Sequence, residues 1–164
     1  MSVTDVNKDF DALAMTITAE FHADAERIWE MWSDPRQLER WWGPPSFPAT
    51  FVEHELTPGS RTAYFMTGPD GQKHHGWWRI EETEPPKRLR IADADEEGNP
   101  NETPTEGPAE ITVTIIEAAG VTTMSIESKF ASGEGMEQMI EMGMEQGMVE
   151  ALGQIDTLLA GERA

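Results

Sequence analysis

The chain has 164 residues, with 31 acidic against 12 basic side chains, a net charge of −19 and no cysteine. The length suits one domain with a real core. The charge excludes sequence-independent binding to nucleic acid or to an anionic membrane surface, and the missing cysteines exclude disulfides, thiolate metal sites and cysteine nucleophiles.

Residues 1–11 are polar and read as a flexible N-terminal tail ahead of a single domain over 12–161. They lack the basic and apolar regions of a secretory leader, and no run approaches the roughly 20 apolar residues of a membrane span, so the chain reads as cytoplasmic. From Leu13 the pattern alternates. Leu13, Met15, Ile17, Ala19 and Phe21 share one face and Thr16, Thr18 and Glu20 the other, as in a half-buried strand.

The period then changes. Ala25, Ile28, Trp29 and Trp32 recur at helical spacing, with Asp24 and Glu26 where the helix dipole favours anions. Asp34-Pro35 starts a second short helix with Gln37 in the capping-box position, and Gly43-Pro44-Pro45 ends it. Six strands follow, divided by turn residues: 47–56, 61–67, 73–83, 88–92, 110–117 and 121–130. The loop 93–108 carries six acidic residues, no basic one and several Gly and Pro, and reads as mobile.

The stretch Ser132 to Gly161 carries the longest helical pattern. Met136, Ile140, Met144, Met148, Ala151, Ile155 and Leu158 follow one stripe, which predicts a helix from Glu134 to Ala160, roughly 40 Å long. Gly143 and Gly147 lie one turn apart beside that stripe. Each costs about 1 kcal/mol relative to Ala, which predicts a close approach by a strand or a bound molecule. The element order predicts an α+β fold: an antiparallel sheet of about seven strands, curved around a long C-terminal helix, with two short helices after the first strand.

Several motifs fail on inspection. His74-His75 are adjacent on a strand and point to opposite faces, with no third ligand at zinc-like spacing. Asp93-Ala-Asp95 opens like a calcium loop but has Pro104 at its twelfth position. Gly133-Glu-Gly135 has Gln138 where a dinucleotide turn needs its third glycine. No catalytic constellation, metal set or cofactor motif emerges, and the chain reads as a non-enzyme.

Phe21-His-Ala-Asp-Ala-Glu-Arg-Ile-Trp29, Ser33-Asp-Pro35, Leu38 and Trp41-Trp42-Gly43 together resemble the opening of activator of Hsp-90 ATPase homologue-like proteins. Pro85-Pro86-Lys87-Arg88-Leu89, Gly120 to Met124 and Met144-Glu-Gln-Gly147 extend the resemblance over about residues 13–160. Met148 stands where the family often has Trp. The resemblance implies the START/Bet v 1-like helix-grip fold, with a hydrophobic cavity between sheet and long helix that takes lipid- or polyketide-like molecules.

On that fold, Met136, Met139, Ile140, Gly143, Met144 and Gly147 are expected to line one wall. Phe51, Tyr64, Trp78 and Met124 would stand opposite, with Trp41 and Trp42 near the mouth and Tyr64 offering one orienting hydrogen bond. The pairs Phe51/Val52, Tyr64/Phe65 and Trp77/Trp78 leave the inward parity of three strands open. The expected partner is a small hydrophobic molecule. One alternative is a chaperone partner whose ATPase the protein modulates. Another is lyase or cyclase chemistry, which needs Glu53, Glu55, His54 or His74 inside the cavity.

Overall fold

A computed structural model describes residues 3–43, 45–101 and 108–162. Its elements run β1 (Val3–Asp9), β2 (Ala14–Phe21), α1 (Ala25–Ser33), α2 (Pro35–Leu38), β3 (Ala49–Glu53), β4 (Arg61–Thr67), β5 (Lys73–Glu84), β6 (Arg88–Asp93), β7 (Glu110–Ala118), β8 (Val121–Lys129), α3 (Gly133–Glu141) and α4 (Met144–Glu162). The strands form one antiparallel sheet of eight, in the order β1-β2-β8-β7-β6-β5-β4-β3. The helix-grip architecture expected from the sequence is what the chain adopts, and no helix among the described residues is long and apolar enough to cross a membrane.

The capping residues act as their chemistry requires. Asp24 accepts from the Arg27 amide at 2.8 Å and starts α1. Asp34 accepts from the Arg36 amide at 2.9 Å and from the Gln37 side chain at 3.0 Å, and the Gln37 bond is the main influence holding its carboxyl below the usual range. Together α1 and α2 carry the chain from β2 to the far edge strand, β3.

One face of the sheet is apolar. Met15, Ile17 and Phe21 of β2, Val113 and Ile115 of β7, and Met124 and Ile126 of β8 share a single core with Leu152, Ile155 and Leu159 of α4. Each such side chain, once buried, stabilises by roughly 1.5–3 kcal/mol. A Glu145–Lys8 ion pair at 2.6 Å fixes the start of α4 to β1.

Three expectations need correction. The polar start of the chain is not a loose tail: Val3–Asp9 pairs with β2, which makes eight strands where about seven were expected. Five of its seven side chains are polar, and Val3 and Val6 pack against the core at a spacing of three, so the strand is held largely by backbone pairing at the sheet edge and leaves no apolar alternation to read.

The long helix is two helices. Met142 ends α3, Gly143 takes φ +92°, and α4 begins at Met144. That left-handed conformation suits glycine, so Gly143 is there to break the helix. Thirdly, the acidic loop begins in order. Ala94 bridges Pro100, and Asp95 accepts the amides of Glu97 and Asn99 at 3.0 and 2.9 Å. The part of that loop over 102–107 lies outside the described residues.

Candidate ligand-binding site

The site begins with three tryptophans, Trp32 of α1 and the Trp41-Trp42 pair that follows α2. Trp32 and Trp41 are fully buried, and both indole N–H groups are used: Trp32 Nε1 donates to Met124 Sδ at 3.2 Å and Trp41 Nε1 to the Met31 carbonyl at 2.9 Å. Trp42 packs edge-on against both, at ring distances of 5.6 Å. It is only 8% exposed, and its Nε1 is buried with no hydrogen-bond partner among the described residues. Buried donors are seldom left unpaired.

The backbone around Trp42 is clamped. A Cβ on Gly43 would sit 2.0 Å from the Phe47 carbonyl oxygen, so only glycine fits. From α4, the Gln154 amide donates to the carbonyls of Trp41 and Gly43 at 3.1 and 2.6 Å.

Opposite Trp42 stands the end of the sheet formed by β3 to β6. The open parities resolve here. Phe51 is buried while Val52, at a register shift in β3, is 71% exposed. The Tyr64 ring stacks on Phe51 at 5.0 Å and meets Trp78 at 5.1 Å. Tyr64 pairs with Gly76 across β4 and β5, and a Cβ on Gly76 would lie 2.5 Å from Tyr64 Cζ. The glycine is the seat on which the tyrosine ring lies. Trp78 in turn pairs with Asp93 of β6 and meets Trp42 edge-on at 5.0 Å.

His54 completes the floor. Its Nε2 donates to the Trp32 carbonyl at 2.7 Å, leaving Nδ1 to accept from the Thr62 hydroxyl at 2.8 Å. Burial lowers its pKa, against the opposing pull of the Trp32 carbonyl, so it sits there as a neutral brace.

Two spaces result. The inner one, about 100 Å³, is lined by Trp42, Tyr64, Trp78, Ile91, Asp93, Pro108, Glu110 and Ile111. Burial pushes the Tyr64 phenol up to about 12, opposed by the pull of the Trp42 and Trp78 indole N–H groups on its oxygen. Burial likewise pushes the Asp93 carboxyl up to about 6, opposed by a hydrogen bond from the Asn101 side chain. The outer space, about 360 Å³, is a methionine groove lined by Trp42, Gly43, Phe47, Met66, Met139, Met142, Gly143, Met144, Gly147, Met148 and Ala151. Trp42 belongs to both.

Of the twelve residues expected around a ligand, Trp42, Tyr64 and Trp78 line the inner cavity, and Met139, Gly143, Met144 and Gly147 line the groove with Trp42. Phe51 backs the Tyr64 ring. Trp41, Met124 and Met136 are fully buried core, and Ile140 packs against that core; none of the four lines either space. Apart from the immediately adjoining chain, no atom of the described residues comes within 4 Å of where a Cβ on Gly143 or Gly147 would be, so the close approach expected there is not made by a strand.

Sequence reasoning missed Asp93. A signal was present: Leu89 and Ile91 alternate inward along β6, and Asp93 is next in that phase. It was hidden because Asp93 also opens the acidic loop and reads there as a surface charge. The four groups that catalysis would have required line neither space. Glu53, for example, is ion-paired to Arg61 at 2.8 Å.

The family described as activator of Hsp90 ATPase homolog 1-like protein matches residues 22–160. The chain belongs to that family. Among solved structures it is similar to a protein from Arthrobacter aurescens, at 49% identity and TM-score 0.86, covering 98% of this chain and 93% of that one. It is also similar to protein Ms6760 from Mycobacterium smegmatis, at 45% identity and TM-score 0.84, covering 98% and 99%. A protein of the same family description from Silicibacter pomeroyi, at 20% identity and TM-score 0.67 over 91% and 99%, shares the fold. No curated protein matches the chain.

Proposed function

We propose that the protein binds or carries a small hydrophobic molecule, lipid- or polyketide-like, in the two spaces that meet at Trp42. Its fold family commonly binds hydrophobic ligands, which gives the general class. The single observation that supports the reading here is the methionine groove. Five methionines from β4, α3 and α4 surround about 360 Å³, within the size range of small-molecule sites. Methionine side chains adapt to ligands of varied shape. The open flank of Gly147 keeps that groove wide where any other residue would narrow it. Native mass spectrometry and a thermal-shift screen with lipids and aromatic polyketides test the reading. A ligand that raises the melting temperature supports it; no bound mass and no shift across the set contradict it.

A second reading, lyase or cyclase chemistry, has one observation in its favour. Asp93, with its carboxyl near 6, shares the inner cavity with the Tyr64 phenol. Turnover of a bound ligand that Asp93→Asn abolishes would support it. Unchanged ligand recovered after prolonged incubation would count against it.

A further inference from the structure

The inner cavity and the methionine groove differ in what they ask of a ligand. The groove offers thioethers and open glycine flanks. The cavity offers an indole N–H, a phenol and carboxyl groups, in a volume of about 100 Å³. That is roughly three times the share of one water in the liquid, and less than the ~150 Å³ apolar cavity that holds benzene. A whole lipid or polyketide does not fit; a small terminal group does.

The unpaired Trp42 N–H says what kind of group. It meets no acceptor at full hydrogen-bond geometry among the described residues; the Tyr64 phenol oxygen lies within its electrostatic reach but not in line with it, and the Gly43 and Gln154 clamp holds the backbone on either side. Its neighbours Trp32 and Trp41 have both found acceptors inside the fold and line no part of the cavity, whereas Trp42 lines it together with Trp78. The Tyr64 hydroxyl, its ring seated over Gly76, supplies a second donor to the same cavity from the sheet side. The group they would meet is an acceptor.

Charge narrows the choice. Asp93 and Glu110 line the cavity, Glu110 with Arg90 at 3.4 Å, and no basic residue lines it among those described. A carboxylate or phosphate head would meet like charge without a cation to balance it. An ammonium head would suit the carboxyls but would leave the Trp42 donor unpaired.

We infer that the inner cavity receives the neutral carbonyl end of an amphiphilic ligand, its oxygen accepting from Trp42 Nε1–H and the Tyr64 hydroxyl while its apolar chain lies in the methionine groove. This rests on the hydrophobic-ligand reading above and adds the head group to it. Discrimination follows from the unpaired donor: a ligand that lacks the acceptor leaves the buried N–H unmet.

Calorimetric titration of the full chain with nonan-2-one, nonane, nonanoate and nonylamine tests this. Nonan-2-one is expected to bind roughly tenfold tighter than nonane, the factor a single buried hydrogen bond supplies. Trp42→Phe keeps an aromatic wall and removes one of the two donors, so the ketone-to-alkane ratio should fall severalfold, to what the Tyr64 hydroxyl alone supports. If that variant does not fold, the Trp42 indole N–H resonance of the unaltered protein serves instead; it should move downfield with the ketone and not with nonane. Equal affinity for nonan-2-one and nonane with an unmoved indole resonance would overturn the head-group assignment and leave hydrophobic binding standing. Tighter binding of nonanoate or nonylamine would overturn it on charge. No binding by any of the four would overturn this inference alone if the lipid and polyketide screen finds a ligand, and both readings if it does not.

Discussion

The two spaces that share Trp42 are built from different materials. Apart from Trp42 and Pro108, every residue lining the inner cavity stands on a strand of the antiparallel sheet, and cross-strand pairing sets their spacing. The outer groove is largely made of residues around the break between α3 and α4, where methionines surround a glycine with positive φ. The first is small and mixes aromatic walls with a phenol and two carboxyl groups; the second is larger, apolar and rich in flexible methionines. The contrast teaches that recognition and accommodation can be separated within one site, with a single clamped tryptophan between them.

Substitutions at the glycines break this comparison most sharply. Gly43→Ala forces a methyl group against the Phe47 carbonyl oxygen and must displace the backbone that holds Trp42. A loss of about 3 kcal/mol in urea denaturation is expected, with binding lost at both spaces. Gly76→Ala acts on one space only. Its methyl group would displace the Tyr64 ring, costing about 2 kcal/mol and closing the inner cavity. The methionine methyl resonances should keep their positions in that variant.

Gly143 and Gly147 sharpen the comparison from the other side, with opposite signs. Gly143→Ala puts a side chain at φ +92° and should destabilise by about 1 kcal/mol. Gly147→Ala meets open space within a helix and should stabilise by about 1 kcal/mol while narrowing the groove. Thermal denaturation of the two variants side by side checks the pair.

Asp93 gives an effect no larger than these, confined to one side of a pH window. Its carboxyl rises from 3.8 to about 6 on folding, so the folded state binds the extra proton between those values. Stability therefore falls as pH rises through that window, and the full cost is present above about pH 6. About 3 kcal/mol would follow from the shift alone; half-exposure to solvent reduces this to about 1 kcal/mol. Asp93→Asn should thus gain about 1 kcal/mol at pH 8 and almost nothing near pH 4, as measured by urea denaturation at both.

The sequence made most of the fold legible because period and punctuation agreed. The strands Arg61–Thr67 and Lys73–Glu84 were bounded by turn residues, and Asp24 and Asp34 marked both short helices. What escaped had no local signature. Val3–Asp9 gains its order from pairing with β2, a contact made across a turn by residues with no apolar phase. The break at Gly143 was masked by a methionine stripe that continues in helical phase on both sides.

For the site, the tryptophans, Tyr64 and the groove glycines were visible as types, but parity was not. Phe51 against Val52 was decided by a register shift in β3, which the residues themselves do not announce. Nor could the sequence separate Trp41 from Trp42. They are identical neighbours, and only the tertiary environment gives one an acceptor and leaves the other without.

The central claim is that the two spaces act as one site. A titration with nonan-2-one, followed at the methyl resonances of Met139, Met142, Met144 and Met148 and at the Trp42 indole N–H in the same samples, tests it most directly. The account predicts that all of them move together with a single dissociation constant. Methionine shifts with a still indole, or two different constants, would contradict it.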